Sequence, residues 1–308
     1  MFKKGMRILL AAAAVAPILV SSAWAAGQMT IIVNDPSNPY WLTEGNVAKA
    51  TAEKLGYTAS VSAHKGDTNT ESNLIDTAIT NKSVAIILDP ANADGSVGAV
   101  KKAVAAGIPV ISMNSGSDVS KGLGALLHVG QDEYDAGKAA GAKLKEMGGK
   151  TGICVNHEVG NVALDLRCKG FADGFGGQVT VVPTRTDPSD IKAKVKASIA
   201  SNAAIDTIMA LSAPLGGEAC VAAAKETGSK ANIASFDLSP NFLKSIAAGE
   251  AAFGIDQQQF LQGYLPVVFL ANYAKYGLIP GGNVPSGPNL ITKDKAAQVT
   301  ELSAKGIR

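Results

Sequence analysis

Cysteine, histidine, tryptophan and any excess of one charge are scarce in this chain of 308 residues, and each shortage removes a class of function. Lys and Arg number 28 against 26 Asp and Glu, so there is no basic footprint for a nucleic acid. Three cysteines, Cys154, Cys168 and Cys220, are too few for a disulfide scaffold, although an exported chain can hold one bridge. Of three histidines, His157 alone precedes a glutamate, and Asn161 stands where a zinc helix needs its second histidine. No G-x-S-x-G, P-loop, G-x-G-x-x-G or D-x-D-x-D-G run occurs, so no cofactor or metal is expected. The longest apolar run, Ile8 to Val20, is 13 residues, short of the roughly 20 that span a bilayer. Lys3, Lys4 and Arg7 before it and Ala23-Trp24-Ala25 after it read instead as a secretory signal peptide cut after Ala25. No cysteine follows the cut to take a lipid, and a leader stands where a helix-turn-helix would have to precede the first strand. The leader takes three of the 28 basic residues and none of the 26 acidic ones, leaving the remainder near −1.

What is abundant is apolar surface: 46% of the residues are hydrophobic, enough for two cores, since single cores stop growing at roughly 250 to 300 residues. Short apolar strands alternate with amphipathic helices. Strands are expected at Thr30 to Val33, Thr58 to Ala63, Ser83 to Leu88, Ile108 to Met113 and Leu126 to Val129, with helices over 70–81, 95–106 and 134–147. The pattern then restarts: strands at Gly152 to Val155, Val179 to Val182, Thr207 to Leu211, Ile233 to Phe236 and Ala251 to Ile255, with helices over 162–175, 190–201, 216–227 and 242–248. A helix over 260–276, a Gly/Pro-rich turn from Gly277 to Pro288 and a strand at Asn289 to Thr292 follow. Such alternation predicts an α/β chain of two doubly wound, Rossmann-like lobes, each a parallel sheet covered on both faces.

Thr30 to Trp41, TIIVNDPSNPYW, organises the reading. A buried strand ends in a Pro/Asn/Asp/Ser break and then delivers Asn38, Tyr40 and Trp41 to the carboxyl edge of the sheet, where open α/β sheets bind ligands. Asp89, Asn114, Ser115, Asn156, His157, Glu158, Ser212, Phe236, Asp237, Asp256 and Gln257 follow other strands. Two such edges facing across a cleft would form a ring of donors and acceptors around an aromatic pair, the chemistry a hydroxyl-rich ligand requires. Arg167, on the helix after Asn156, adds a planar multi-donor able to span adjacent hydroxyls or a carboxylate. Taken singly, Tyr40 and Trp41 read equally well as core, and Asp89 and Asp237 as turn or cap residues. For the cysteines, three buried thiols and a Cys168–Cys220 bridge remain alternatives.

The set N-P-Y-W, I-I-L-D-P, G-I-P-V-I-S-M-N, R-x-K-G-F, A-S-F-D and G-I-D-Q, in that order along the chain, resembles the sugar-binding periplasmic proteins of the ribose-binding type. The resemblance implies the type I fold, with a three-crossing hinge near Gln131, Gln257 and Pro288. It divides the chain into a signal peptide (1–25), an N-terminal lobe (26–131 plus 258–288) and a C-terminal lobe (132–257 plus 289–308). It implies a periplasmic monomer that binds a monosaccharide or sugar alcohol and hands it to the membrane permease of an ABC importer. Asn38, Tyr40, Trp41, Arg167, Phe236, Asp237 and Gln257 match the family's ligand-binding positions. Asp89 falls where ribose binders have Asn, and there are three departures: Asn114-Ser115 replaces Asp-Arg, Ser212 replaces Asn, and Glu158 replaces an apolar residue. D-ribose is therefore not the expected ligand. Another monosaccharide, a polyol or a cyclitol fits, and Glu158 leaves an amino-substituted ligand open. The alternative is an exported enzyme using Asp89, Glu158 and Asp237 as acid and base on a carbohydrate.

Overall fold

Ile31, Ile32 and Val33 are wholly buried, and the alternation of their side chains splits the first lobe into two half-cores. Ile31, Val33, Ile87, Ile111 and Met113 face one way, onto Ala48, Ala52, Val267 and Leu270. Ile32, Ile86, Leu88 and Val110 face the other, onto Ile75, Ala78, Val100 and Ala103. The structure is a computed structural model describing residues 27–117, 120–305 and 307–308; the expected signal peptide lies outside the described residues.

In chain order the first half comprises β1 (Gln28–Val33), α1 (Pro39–Lys54), β2 (Thr58–Ala63), α2 (Thr68–Thr80), β3 (Ala85–Leu88), α3 (Ala93–Ala105), β4 (Val110–Asn114), α4 (Ser120–Leu123) and β5 (His128–Gly130). Next come α5 (Glu133–Glu146), β6 (Thr151–Asn156), α6 (Val162–Phe175), β7 (Gln178–Pro183), α7 (Pro188–Ser201) and β8 (Thr207–Ala210). A π-helical turn, Ala213–Gly217, leads into α8 (Glu218–Thr227), followed by β9 (Asn232–Phe236), α9 (Pro240–Ala248) and β10 (Phe253–Asp256). The chain closes with α10 (Gln259–Tyr276), β11 (Val284–Pro285), β12 (Asn289–Thr292) and α11 (Lys293–Ala304).

The strands form two sheets, ordered β11-β5-β4-β3-β1-β2 and β12-β10-β9-β8-β6-β7. Every pairing is parallel except β10 with β12, which runs antiparallel from Phe253 opposite Thr292 to Asp256 opposite Asn289. This is the two-lobed α/β architecture expected, and the chain passes between the lobes three times. The crossings are hydrogen-bonded to one another: Gln131 Nε2 donates to Gln257 Oε1 at 3.0 Å, and Gln258 Nε2 to the Ser286 carbonyl at 2.8 Å. A Cβ on Gly287, beside the cis Gly287–Pro288 bond, would lie 3.0 Å from Gln131 Oε1 and 3.1 Å from the Asp256 carbonyl, so the third crossing is threaded closely past the other two.

Polar residues at the strand ends double as helix caps. Asn38, Asp67, Asp132, Asn161 and Ser239 each accept from a backbone N–H two or three residues on. Three details differ from expectation. β11 and α11 lie in stretches read as turn or left unassigned, because a two-residue strand exists only through its partner β5 and α11 packs mainly on α9. The helix expected from Gly216 starts as a π turn at Ala213, where the Ser212 carbonyl accepts from both Gly216 and Gly217 N–H, at 2.7 and 2.8 Å. The disulfide joins Cys154 and Cys168, Cα atoms 5.7 Å apart, and Cys220 is a buried free thiol, so neither a Cys168–Cys220 bridge nor three thiols holds. The reason is sheet facing. Cys154 and Cys168 share the half-core with Phe171 and Phe175, while Cys220 packs on the opposite face with Ile191 and Phe242.

Candidate functional site

The edge of β1 and the first turn of α1 build one wall. Pro39 at the first helical turn and the Asn38 cap fix where Tyr40 and Trp41 point. Tyr40 is buried, its hydroxyl donating to Gln262 Oε1 at 2.9 Å and accepting from Asn114 Nδ2 at 3.0 Å. Trp41 meets it edge-on, centroids 5.9 Å apart, and its Nε1 is buried without a partner. Asn114 holds its place in the left-handed region at φ 59°, which aims its amide inward, and accepts from Ser115 Oγ at 3.2 Å. Asp89, after β3, is 2% exposed and its Oδ1 has no partner. Burial and the neighbouring carboxylate of Glu71 push its pKa well up, while the N–H groups of Ser115 and Asn34 pull the other way.

The second lobe supplies the facing wall. Arg167 is buried, its Nε and Nη2 donating to Glu133 and its Nη2 also to Gln257 Oε1 at 3.0 Å. The guanidinium lies 4.4 Å from the centroid of the Phe236 ring, a cation–π stack. Burial disfavours its charge, but Glu133 outweighs burial and keeps Arg167 above its usual range. Asp237, in the left-handed region at φ 65°, accepts from Gln257 Nε2. Burial raises Asp237 to about 6 against the opposing pull of Arg167. Ser212 is buried with its Oγ unpartnered, and so is Nδ1 of His157, which burial and Arg167 lower to about 4. Glu158 accepts from Asn161 Nδ2 at 3.2 Å and is raised by burial.

Three cavities open from this region. One of ≈ 410 Å³ is lined by Asn34, Asn38, Trp41, Lys65, His157 and Glu158 among others. One of ≈ 260 Å³ takes in Asn38, Tyr40, Pro214 and Asp237, and one of ≈ 100 Å³ lies beside Ser115, Glu133 and Asn161. Asn38, Tyr40, Trp41, Glu158 and Asp237 therefore face interlobe space directly. Arg167, Phe236 and Gln257 are bound to Asp237 in one chain of contacts, and Asn114 to Tyr40. Ser115 lines the smallest of the three cavities and joins the network through Asn114.

Several members of the network are not at strand ends and carry no motif. Glu133 neutralises Arg167, and Gln262 links Tyr40 to the Ser286 hydroxyl at 2.8 Å. Glu44 is fully buried one turn after Tyr40, with a pKa raised by burial and by Asp89. Its spacing of four from Tyr40 on one helix face is the signal available, but a lone glutamate on a helix ordinarily reads as solvated.

Residues 29–278 match the family described as periplasmic binding protein domain. The chain belongs to the periplasmic binding protein family. Among its relatives are D-apiose import binding proteins of Actinobacillus succinogenes, 36% identical over 126 residues, and of Paraburkholderia graminis, 36% identical over 155. These stretches span 41% and 49% of this periplasmic binding protein and 40% and 49% of the relatives, so the matches cover half of those proteins or less. A solved carbohydrate transporter from Acidothermus cellulolyticus in complex with myo-inositol is 32% identical with a TM-score of 0.85, covering 92% of this chain and 100% of that one.

Proposed function

We propose that this protein is the solute-binding component of an ABC importer, holding one small polyhydroxylated molecule between its lobes and presenting it to a membrane permease. The observation that carries this reading is a group of buried polar atoms without partners, Asp89 Oδ1, His157 Nδ1, Ser212 Oγ and Trp41 Nε1, contributed by strand ends of both lobes and the first turn of α1. Buried polar atoms are nearly always bonded, and a molecule with hydroxyls around its rim supplies donors and acceptors to all of them. The indole and the Tyr40 ring beside it suit the apolar C–H face of a sugar or cyclitol.

Within that class the reading favours a cyclitol or a branched or small monosaccharide over D-ribose. The myo-inositol complex of the 32% identical protein and the D-apiose names of the curated relatives support it, as do the departures at Asn114-Ser115, Glu158 and Ser212. The lobes are taken as 26–131 plus 258–288 and 132–257 plus 289–308, hinged at Gln131, Gln257 and Pro288, with the mature protein acting as a periplasmic monomer. Ligand that binds the closed form better than the open one shifts the population toward closure.

The test is a thermal-shift screen across pentoses (apiose included), hexoses, tetritols, pentitols and inositols, followed by titration calorimetry. One or a few ligands should raise the melting temperature by several degrees. No shift with any member of the panel overturns the reading.

A further inference from the structure

The interlobe space is acidic, and its buried cation, Arg167, is already committed. Glu158 and Asp237 line it from the ends of β6 and β9, Asp89 lies buried at the end of β3 with one oxygen unpartnered, and Glu44 lies buried one turn after Tyr40 on α1. The unpartnered buried atoms around it include three carboxyl oxygens, Asp89 Oδ1 and both of Glu44, with His157 Nδ1 and Ser212 Oγ able to act either way and Trp41 Nε1 the donor. Against these stands the Arg167 guanidinium, given over to Glu133 and Gln257. Lys65 is exposed at the mouth of the largest of the three cavities and forms no ion pair with Glu158. Burial lowers the pKa of both nearby imidazoles, His64 and His157. Glu71, behind Asp89, adds a further buried carboxyl, one oxygen accepting from the Ala91 N–H and the other unpartnered.

Carboxylates taken out of water without a counter-charge are costly, and the surroundings answer by raising Asp89, Glu158, Asp237 and Glu44 together. A neutral polyol brings hydroxyl donors but no charge. An ammonium brings donors only, three of them, together with the missing positive charge. We propose that the interlobe site selects a polyhydroxylated ligand bearing an ammonium group, an amino sugar or aminocyclitol, with Asp89 and Glu158 as the carboxylates that receive it. The proposal rests on the solute-binding reading above and narrows its ligand class.

The experiment is calorimetric titration with matched pairs at pH 7: 1-amino-1-deoxy-scyllo-inositol against scyllo-inositol, and D-glucosamine against D-glucose. The proposal expects the amino member of at least one pair to bind tenfold or more tighter than its neutral partner. That ratio should collapse toward one in Asp89→Asn and in Glu158→Gln, two variants chosen so that misfolding of either leaves the other to decide. Affinity for the amino ligand should also fall as pH rises through the amine's own pKa. Equal or weaker binding of both amino members while a neutral polyol binds overturns the ammonium preference and leaves the solute-binding reading standing. Absence of binding by all four compounds and by the wider panel overturns both.

Discussion

Arg167 and Glu133 form the ion pair on which the second wall depends, and both are nearly inaccessible. Removing one partner of a buried pair strands the other, so Glu133→Ala should cost about 3–5 kcal/mol of stability, read from urea denaturation. Exposed pairs such as Lys49–Glu53 should contribute less than about 1 kcal/mol. Trp41→Ala should weaken ligand binding by about 1–3 kcal/mol in calorimetry if the indole packs on the ligand; unchanged affinity would make it a core residue. His128 gives a pH test. Burial lowers it to about 3, and its Nδ1 lies 3.0 Å from Ser112 Oγ. A histidine with a depressed folded pKa contributes stability above its unfolded value near 6.5 and loses it as pH falls toward 3. Relative to wild type, His128→Gln should therefore look progressively less destabilising between pH 7 and pH 4 in parallel thermal melts; a constant difference would contradict the assignment.

At the scale of elements, α5 and α6 touch backbone to backbone. A Cβ on Gly137 would lie 2.2 Å from the Arg167 carbonyl oxygen, and one on Gly170 would lie 2.0 Å from that of Tyr134. Gly170→Ala must push the helices apart and tilt the segment carrying Arg167, so stability and ligand affinity should fall together. The Cys154–Cys168 bridge ties the same helix to β6 over a separation of 14 residues. Its loss in Cys154→Ala/Cys168→Ala should cost about 3 kcal/mol on the loop-entropy scale, whereas Cys220→Ala should do far less. This scale also shows what could be read in advance. Thr58–Ala63, Val162–Phe175 and Asn289–Thr292 coincide with their expected bounds, because apolar spacing and the flanking breakers act locally. The disulfide could not be paired from spacing, since the pairing depends on which face of the sheet each helix covers. Asp89, Ser212, Phe236 and Asp237 could be located as strand ends, while Glu44, Glu133 and Gln262 enter the network only through tertiary packing.

Over the whole molecule, the three crossings are tied by glutamine amides rather than by apolar packing: Gln131 to Gln257, Gln258 to Ser286, and Gln262 to Ser286 and the Gln257 carbonyl. If these crossings are the hinge proposed above, side-chain amide hydrogen bonds that exchange partners let it turn while each lobe keeps its core. Addition of a bound solute should reduce the radius of gyration in solution scattering, and Gln131→Leu should shrink that change without unfolding either lobe. The position of Trp41 has a practical outcome. Trp24 and Trp41 are the chain's two tryptophans, so a preparation beginning after Ala25 contains a single indole, set in the wall of the cleft. Its fluorescence, excited at the red edge of the indole band to spare the tyrosines, is then a built-in optical gauge: a change in emission maximum or quenching on titration reports the local dielectric at that one position, with no dye, label or second indole to subtract.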